Sequence, residues 1–197
     1  MPMQLYSRLT VRDVEGRIVR RGRWRRSHSF VKQFPQMLLC RMRGTDDVTA
    51  TDTAGASRTM QRIGSGDGGF MNTGGILGVD AQGVVIGTGS TPVGVDDYAL
   101  EAKIAHGTGG GQMEYGVGTF SSVSVAGGTA SFTTVRSFVN SSGASITVNE
   151  YGMYTTVHDG GTWRYYLSAR DLITGGQAVE HGQAITIEYR VSVTAGE

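Results

Sequence analysis

Hydrophobic and polar positions alternate most regularly in the last third of the chain. From 131 to 154 the sequence reads Ser-Phe-Thr-Thr-Val-Arg-Ser-Phe-Val-Asn-Ser-Ser-Gly-Ala-Ser-Ile-Thr-Val-Asn-Glu-Tyr-Gly-Met-Tyr. That is a period-two strand, a polar turn at residues 140–143, and a second strand. Short runs of the same kind predict strands near 112–125, 129–139, 145–157, 162–169 and 184–194. Glycine-rich turns between them favour antiparallel pairing, and an antiparallel β-sandwich or a jelly-roll-like barrel is the natural closure.

The N-terminal part reads differently. Residues 4–13 alternate as a strand, Glu15-Gly16 turns the chain, and residues 17–26 return as its antiparallel partner. Ser27 or Ser29 then offers an N-cap. Phe30, Val31, Phe34, Met37, Leu38, Leu39 and Met42 recur at helical spacing, which predicts an amphipathic helix over 29–43 with Pro35 inside it. Residues 44–80 are polar, glycine-rich and poorly periodic, with a short strand expected near 59–63. Val84-Val85-Ile86 is a short buried strand, and residues 87–94 form a turn-rich connector. Residues 96–104 are expected as a short second helix capped by Asp96, ahead of a loop at 107–111. The organisation is therefore a basic hairpin plus helix over 1–43, packed on or extending from the body. A Gly-rich excursion over 44–82 and a β-rich body over 83–197 follow, best treated together as one domain.

Composition sharpens this picture. Glycine occurs 31 times in 197 residues, about twice the ordinary ~7% share, and it is clustered rather than periodic. Such density beside many Thr, Ser and Val suits an all-β chain with tight turns. No run approaches the ~18 apolar residues of a membrane-spanning helix, and residues 1–10 lack the apolar stretch of a secretory signal, so no membrane association is expected. Cys40 is the single cysteine, which rules out an intrachain disulfide and a thiolate metal site within one chain, and makes synthesis in a reducing cytoplasm the expectation. The formal net charge of +1 conceals an asymmetry. Residues 1–43 hold eleven Lys and Arg against Asp13 and Glu15, a net +9, and the remainder holds seven basic against fifteen acidic residues, a net −8. Opposite-sign regions attract, within a chain or between copies.

The densest chemistry is the run Arg17, Arg20, Arg21, Arg23, Arg25 and Arg26 with Trp24 interleaved. Arginine and tryptophan are the preferred anchors of protein interfaces. The same residues also suit phosphate contacts with nucleic acid or a charged edge strand that deters aggregation. The acidic remainder of the chain favours the protein contact, with nucleic acid secondary. Glu150 and Arg170 fall on successive strands at positions where a buried pair would neutralise both, and Gly152 between them permits a bulge or a close backbone approach. Asp46, Asp47, Asp52, Asp67 and Asp80 lack the spacing of a calcium loop. His28, His106, His158 and His181 have no zinc-ligand relation. The glycine runs at 64–69 and 107–111 lack the Lys-Ser/Thr ending of a phosphate loop. No nucleophile elbow occurs, so no catalytic, cofactor or metal residue is assigned. Trp163, Tyr165 and Tyr166 offer a lectin-like stacking surface as an alternative role.

Three segments in order resemble one family: Val85-Ile-Gly-Thr-Gly-Ser-Thr-Pro-Val-Gly-Val-Asp-Asp-Tyr-Ala-Leu100, then residues 138–154, then Leu167-Ser-Ala-Arg-Asp-Leu172 followed by the closing Val-rich strand 179–193. They are similar to small β-rich virion structural proteins of tailed bacteriophages and prophages. The resemblance covers roughly 83–194, and the turn followed by Ser29-Phe30-Val31 also suits it. It implies a non-enzymatic structural protein that is made in the host cytoplasm and incorporated into the virion. Its partners would be copies of itself and other virion proteins, in the tail, neck or baseplate region. Capsid decoration, or a carbohydrate-binding module that reads a receptor, is the alternative. The resemblance brings no catalytic residue and no cofactor.

Overall fold

The computed structural model describes residues 3–27, 30–44, 48–60, 71–159 and 162–195. In chain order the elements are β1 (Met3–Arg12), β2 (Ile18–Arg21), β3 (Arg25–Ser27), α1 (Gln33–Arg43), β4 (Val48–Thr51), β5 (Ser57–Met60) and β6 (Gly83–Gly87). There follow β7 (Glu114–Tyr115), β8 (Thr119–Phe120), β9 (Ser124–Ala126), β10 (Thr129–Val139), β11 (Ile146–Asp159), β12 (Thr162–Val179) and β13 (Ala184–Thr194). The described chain is mainly β, and its named strands pair antiparallel throughout.

The larger sheet runs β2-β1-β13-β10-β7, with β3 also on β1, and β8 and β9 also on β10. The smaller runs β12-β11-β6. Alternation explains the packing: Leu5, Val11, Ile185, Ile187, Tyr189 and Phe138 point from the large sheet into one core, against Val84, Ile86, Met153 and Ala169 of the small one. The Tyr151 ring packs tilted by 50° against Tyr189, 5.6 Å between centroids, and its hydroxyl is hydrogen-bonded to Ser7 Oγ at 2.8 Å. This packing is consistent with a β-sandwich. The first strand is thus an interior strand of the large sheet, in ten-residue register with β13. A second core lies at the far end of β11 and β12, where Met37 and Cys40 of α1 and Val48, Ala50 and Met60 of the β4–β5 hairpin meet Val157 and Tyr166.

Two helical expectations change. The first helix begins at Gln33, not residue 29, with Lys32 at the N-cap position and no side-chain cap. Ser29 lies outside the described residues, and Ser27 is a strand residue whose hydroxyl donates to Asp171. Pro35 sits in the first turn, where its missing N–H costs nothing. Gln33, Met37 and Cys40 are the buried helix residues, whereas Leu38, Leu39 and Met42 are exposed. The helix touches the body along one narrow stripe rather than the broad face its apolar residues suggest. The second helix, expected at 96–104, does not form. The amides of Leu100, Glu101 and Ala102 donate to the Tyr154 hydroxyl and the Glu150 carboxylate instead of to carbonyls four residues back. Ile104 N–H donates to Ile86 O and Thr88 N–H to Ala102 O, so residues 102–104 run beside the end of β6, while residues 94–101 turn and bend ahead of them. Tertiary acceptors outcompete local helix bonds here. The single strand expected over 112–125 is three short pieces, each pairing with a successive part of β10.

Arg136 explains how the irregular segment before β6 is held. It lies on the inward face of β10 between Thr134 and Phe138 and is 1% exposed. Its Nε donates to Gly116 O (2.8 Å), Nη1 to Gln82 O and Val84 O (2.7 and 3.0 Å), and Nη2 to Ile76 O and Val79 O (both 2.7 Å). All five guanidinium donors are used. Burial pulls its pKa down, and the Tyr115 ring lies 4.9 Å from its carbon. Gly75 is required here, because a Cβ would stand 2.9 Å from the guanidinium carbon.

Replacing Arg136 by leucine strands several buried carbonyls. Stability should fall by at least about 3 kcal/mol, read as a lowered urea midpoint; an unchanged midpoint would refute the role. A second outcome concerns alkali. Burial raises the pKa of Tyr115, Tyr151, Tyr154 and Tyr189, that of Tyr154 to about 12. Their neutral forms belong to the folded state, so stability is full below the ordinary value near 10 and is lost as pH rises from there toward the folded values. Phenolate absorbance from these four should therefore appear together with loss of the fold, not before it.

Candidate functional site

The arginine run forms a lip along the free side of β1. Asp13 closes the first turn: its carboxylate accepts from Glu15 N, Arg17 N and Arg17 Nε at 3.0, 2.9 and 2.8 Å. The Arg17 guanidinium holds the Asp13 carboxyl below its ordinary value, and it also meets Glu15 at 2.7 Å. β2 then pairs with β1 at Thr10 and Val11, and β3 pairs with β1 at Leu5, Tyr6 and Ser7. Residues 22–24 bridge the two, anchored by Gly22 N–H to Leu9 O at 2.9 Å.

Trp24 fastens that bridge, but not to the core. Its indole lies on the outer face of the large sheet between the guanidinium carbons of Arg8 (4.5 Å) and Arg190 (4.0 Å). Arg8 is itself held by two bonds to Glu188, at 2.5 and 2.7 Å, which raise its pKa. Neither Arg8, Glu188 nor Arg190 was among the expected site residues. The signal lay in the alternation of β1 and β13, which places all three on one outward face.

The six arginines divide by environment. Arg17 belongs to its turn, and Arg20 donates to Gln177 of β12. Arg21, Arg23, Arg25 and Arg26 are exposed and form no ion pair with any described residue. Arg20, Arg23, Arg25 and Arg26 rim a cavity of about 120 Å³ between the sheet edge and β12, floored by Tyr151 and Asp171. Asp171 accepts from Ser27 Oγ at 2.8 Å and Tyr189 OH at 3.0 Å.

On the other side of β12 the structure brings Glu150 and Arg170 together, with Arg170 Nε donating to Glu150 Oε2 at 2.7 Å. Glu150 is fully buried and also accepts from Gly89 N, Glu101 N and Ala102 N at 3.1, 3.2 and 2.8 Å. Arg170 continues to Asp97 at 2.7 Å and Glu101 at 3.7 Å. Burial would lower the Arg170 pKa, but the bonds to Asp97 and Glu150 outweigh it and raise it. Asp97 and Glu101 join the expected pair because the loop folds over it, a long-range event with no local signal. Gly152 supplies the close approach anticipated for it: a Cβ there would meet Ala169 O at 2.7 Å and Leu100 at 3.0 Å.

Other singled-out residues have structural surroundings. Asp52 closes the β4–β5 turn, accepting from Ala54 N, Ala56 N and Arg58 Nε. Burial would raise its pKa, but those donors lower it. Asp80 accepts from Lys103 Nζ and His106 N. The Nδ1 atoms of His106 and His181 accept from the amides of Tyr115 and Gly143. Asp46, Asp47, Asp67, His28 and the glycine run 64–69 lie outside the described residues, as does the side chain of His158. Tyr166 is buried in the second core while Trp163 is half exposed, so the three aromatics do not share one stacking face. Among the described residues no helix is long and apolar enough to cross a membrane. The chain matches no protein-family model, no curated protein and no solved structure.

Glu150→Gln should cost about 3 kcal/mol, because it leaves Arg170 short of charge and turns a donor toward donors. The same variant should speed hydrogen exchange at Gly89, Glu101 and Ala102; unchanged protection there would show that the loop is held by something else.

Proposed function

We propose that this chain is a non-enzymatic structural protein of a tailed-phage virion. It is built as a β-sandwich and assembles through repeated protein–protein contacts in the tail, neck or baseplate region. It is made in the host cytoplasm, and its partners are copies of itself and other virion proteins. The observation that carries this reading is the lip: four exposed guanidiniums without ion pairs among the described residues, on strands fixed to the sheet and clamped by Trp24. Unpaired arginines on a rigid edge are prepared to form bidentate bonds with carboxylates at little ordering cost. The resemblance of residues 83–194 to virion proteins supplies the setting, in which many weak copies of one contact give a tight particle.

Neutralising Arg20, Arg21, Arg23 and Arg25 together should reduce incorporation into purified particles while the melting temperature stays within a few degrees of the parent. Normal assembly with lost DNA binding would instead assign the lip to phosphate. A variant unchanged in both would reduce it to a solvated edge.

A further inference from the structure

We propose that the surface met by the arginine lip is the acidic loop 91–101 of a second copy of this chain. This inference rests on the reading above that the chain assembles through protein contacts, and it names the partner.

Charge and topology carry it. Among the described residues, Asp96, Asp97, Glu101 and the Glu150 beneath them cluster around two cations, Lys32 and Arg170, so this surface keeps an excess of two negative charges. Asp96 is exposed over 79% of its side chain, and Tyr98 beside it is 44% exposed. An exposed carboxylate and a partly exposed aromatic two residues apart offer an incoming guanidinium a bond and a surface to pack on. The lip has the complementary excess, in Arg21, Arg23, Arg25 and Arg26.

The two surfaces cannot satisfy each other within one molecule. Arg170 and Asp171 are neighbours on β12 and point to opposite faces of its sheet. Arg170 reaches the acidic loop through Asp97, whereas Asp171 faces Ser27, Tyr189 and the lip cavity. The small sheet stands between them. Both surfaces are also preorganised, the loop by Glu150 and Arg170 and the lip by Trp24. A contact between two different patches is heterologous, so it propagates head to tail into a ring or a filament rather than closing as a two-fold dimer. Nucleic acid would engage the lip alone and leave the acidic loop without a role.

Reciprocal charge reversal tests this with the full chain. One variant carries Arg23→Glu and Arg26→Glu, the other Asp96→Lys; each changes exposed side chains only. In sedimentation at low salt, each variant alone should self-associate at least ~10-fold more weakly than the parent. An equimolar mixture should recover the parental association, because each altered surface then meets its complement and the unaltered pair meets as before. Recovery on mixing also shows that neither variant is misfolded. A mixture that stays dissociated while the parent associates overturns the proposal, as does a parent that remains monomeric but binds duplex DNA through the lip. Mass spectrometry of purified particles separates the two levels. Presence in particles with a failed swap removes only this contact, and absence from particles removes the virion reading.

Discussion

Buried backbone polar groups must find partners, and in this protein long stretches of irregular backbone are buried with no strand ladder to supply them. Two charged side chains stand in for the ladder. The Arg136 guanidinium gathers five carbonyls from the segment around residues 76–84 and from Gly116. The Glu150 carboxylate gathers three amides from the connector after β6 and pairs with Arg170. One is a donor cluster that collects acceptors, the other an acceptor cluster that collects donors. Between them they fix both flanks of β6, and with it the surface of the small sheet.

The surface chemistry follows from that arrangement. Because Glu150 draws the amides of Gly89, Glu101 and Ala102 together and folds the connector back on itself, Asp96, Asp97 and Glu101 are presented on one face of the small sheet. Because β13 occupies one side of β1 along its whole length, the returning β2 and β3 pair on the other side, at the margin of the sheet, and their arginines meet few acids. The charge asymmetry of the sequence is therefore preserved in space. Had the basic segment folded back over the acidic loop, the charges would have cancelled and no interaction surface would remain. The lip and the loop are separate, rigid and opposite in sign, which is what repeated assembly contacts require.

Much of the body was readable from alternation. The positions of β10, β11 and β13 follow from period-two patterning, complete in β13 and interrupted by Thr134 and Arg136 in β10 and by Glu150 in β11, and the turn at 140–143 from its Asn-Ser-Ser-Gly composition. The closeness of Glu150 and Arg170 followed from a similar argument: two charges at inward strand positions need each other. Arg136 was legible by the same rule, since it shares a face with Phe132, Thr134 and Phe138, yet its partners are carbonyls, which leave no mark in a side-chain pattern. Residues 96–104 carry a fair local helix signal and do not form a helix, because their amides find Glu150 and Tyr154 from a strand some fifty positions away.

By itself the sequence determined what depends on neighbours in the chain: strand phase, turn positions, a helix within the expected span 29–43 and a basic N-terminal region set against an acidic remainder. Only the tertiary structure decided what depends on distant groups. It placed β1 beside β13, divided six arginines into engaged and free, set Trp24 between Arg8 and Arg190, and put the acidic loop on the opposite face from the lip. The physical reason is one of range. Periodicity and turn preference are local properties of the backbone, whereas the partner of a buried charge is whichever group the folded sheets bring within about 3 Å of it.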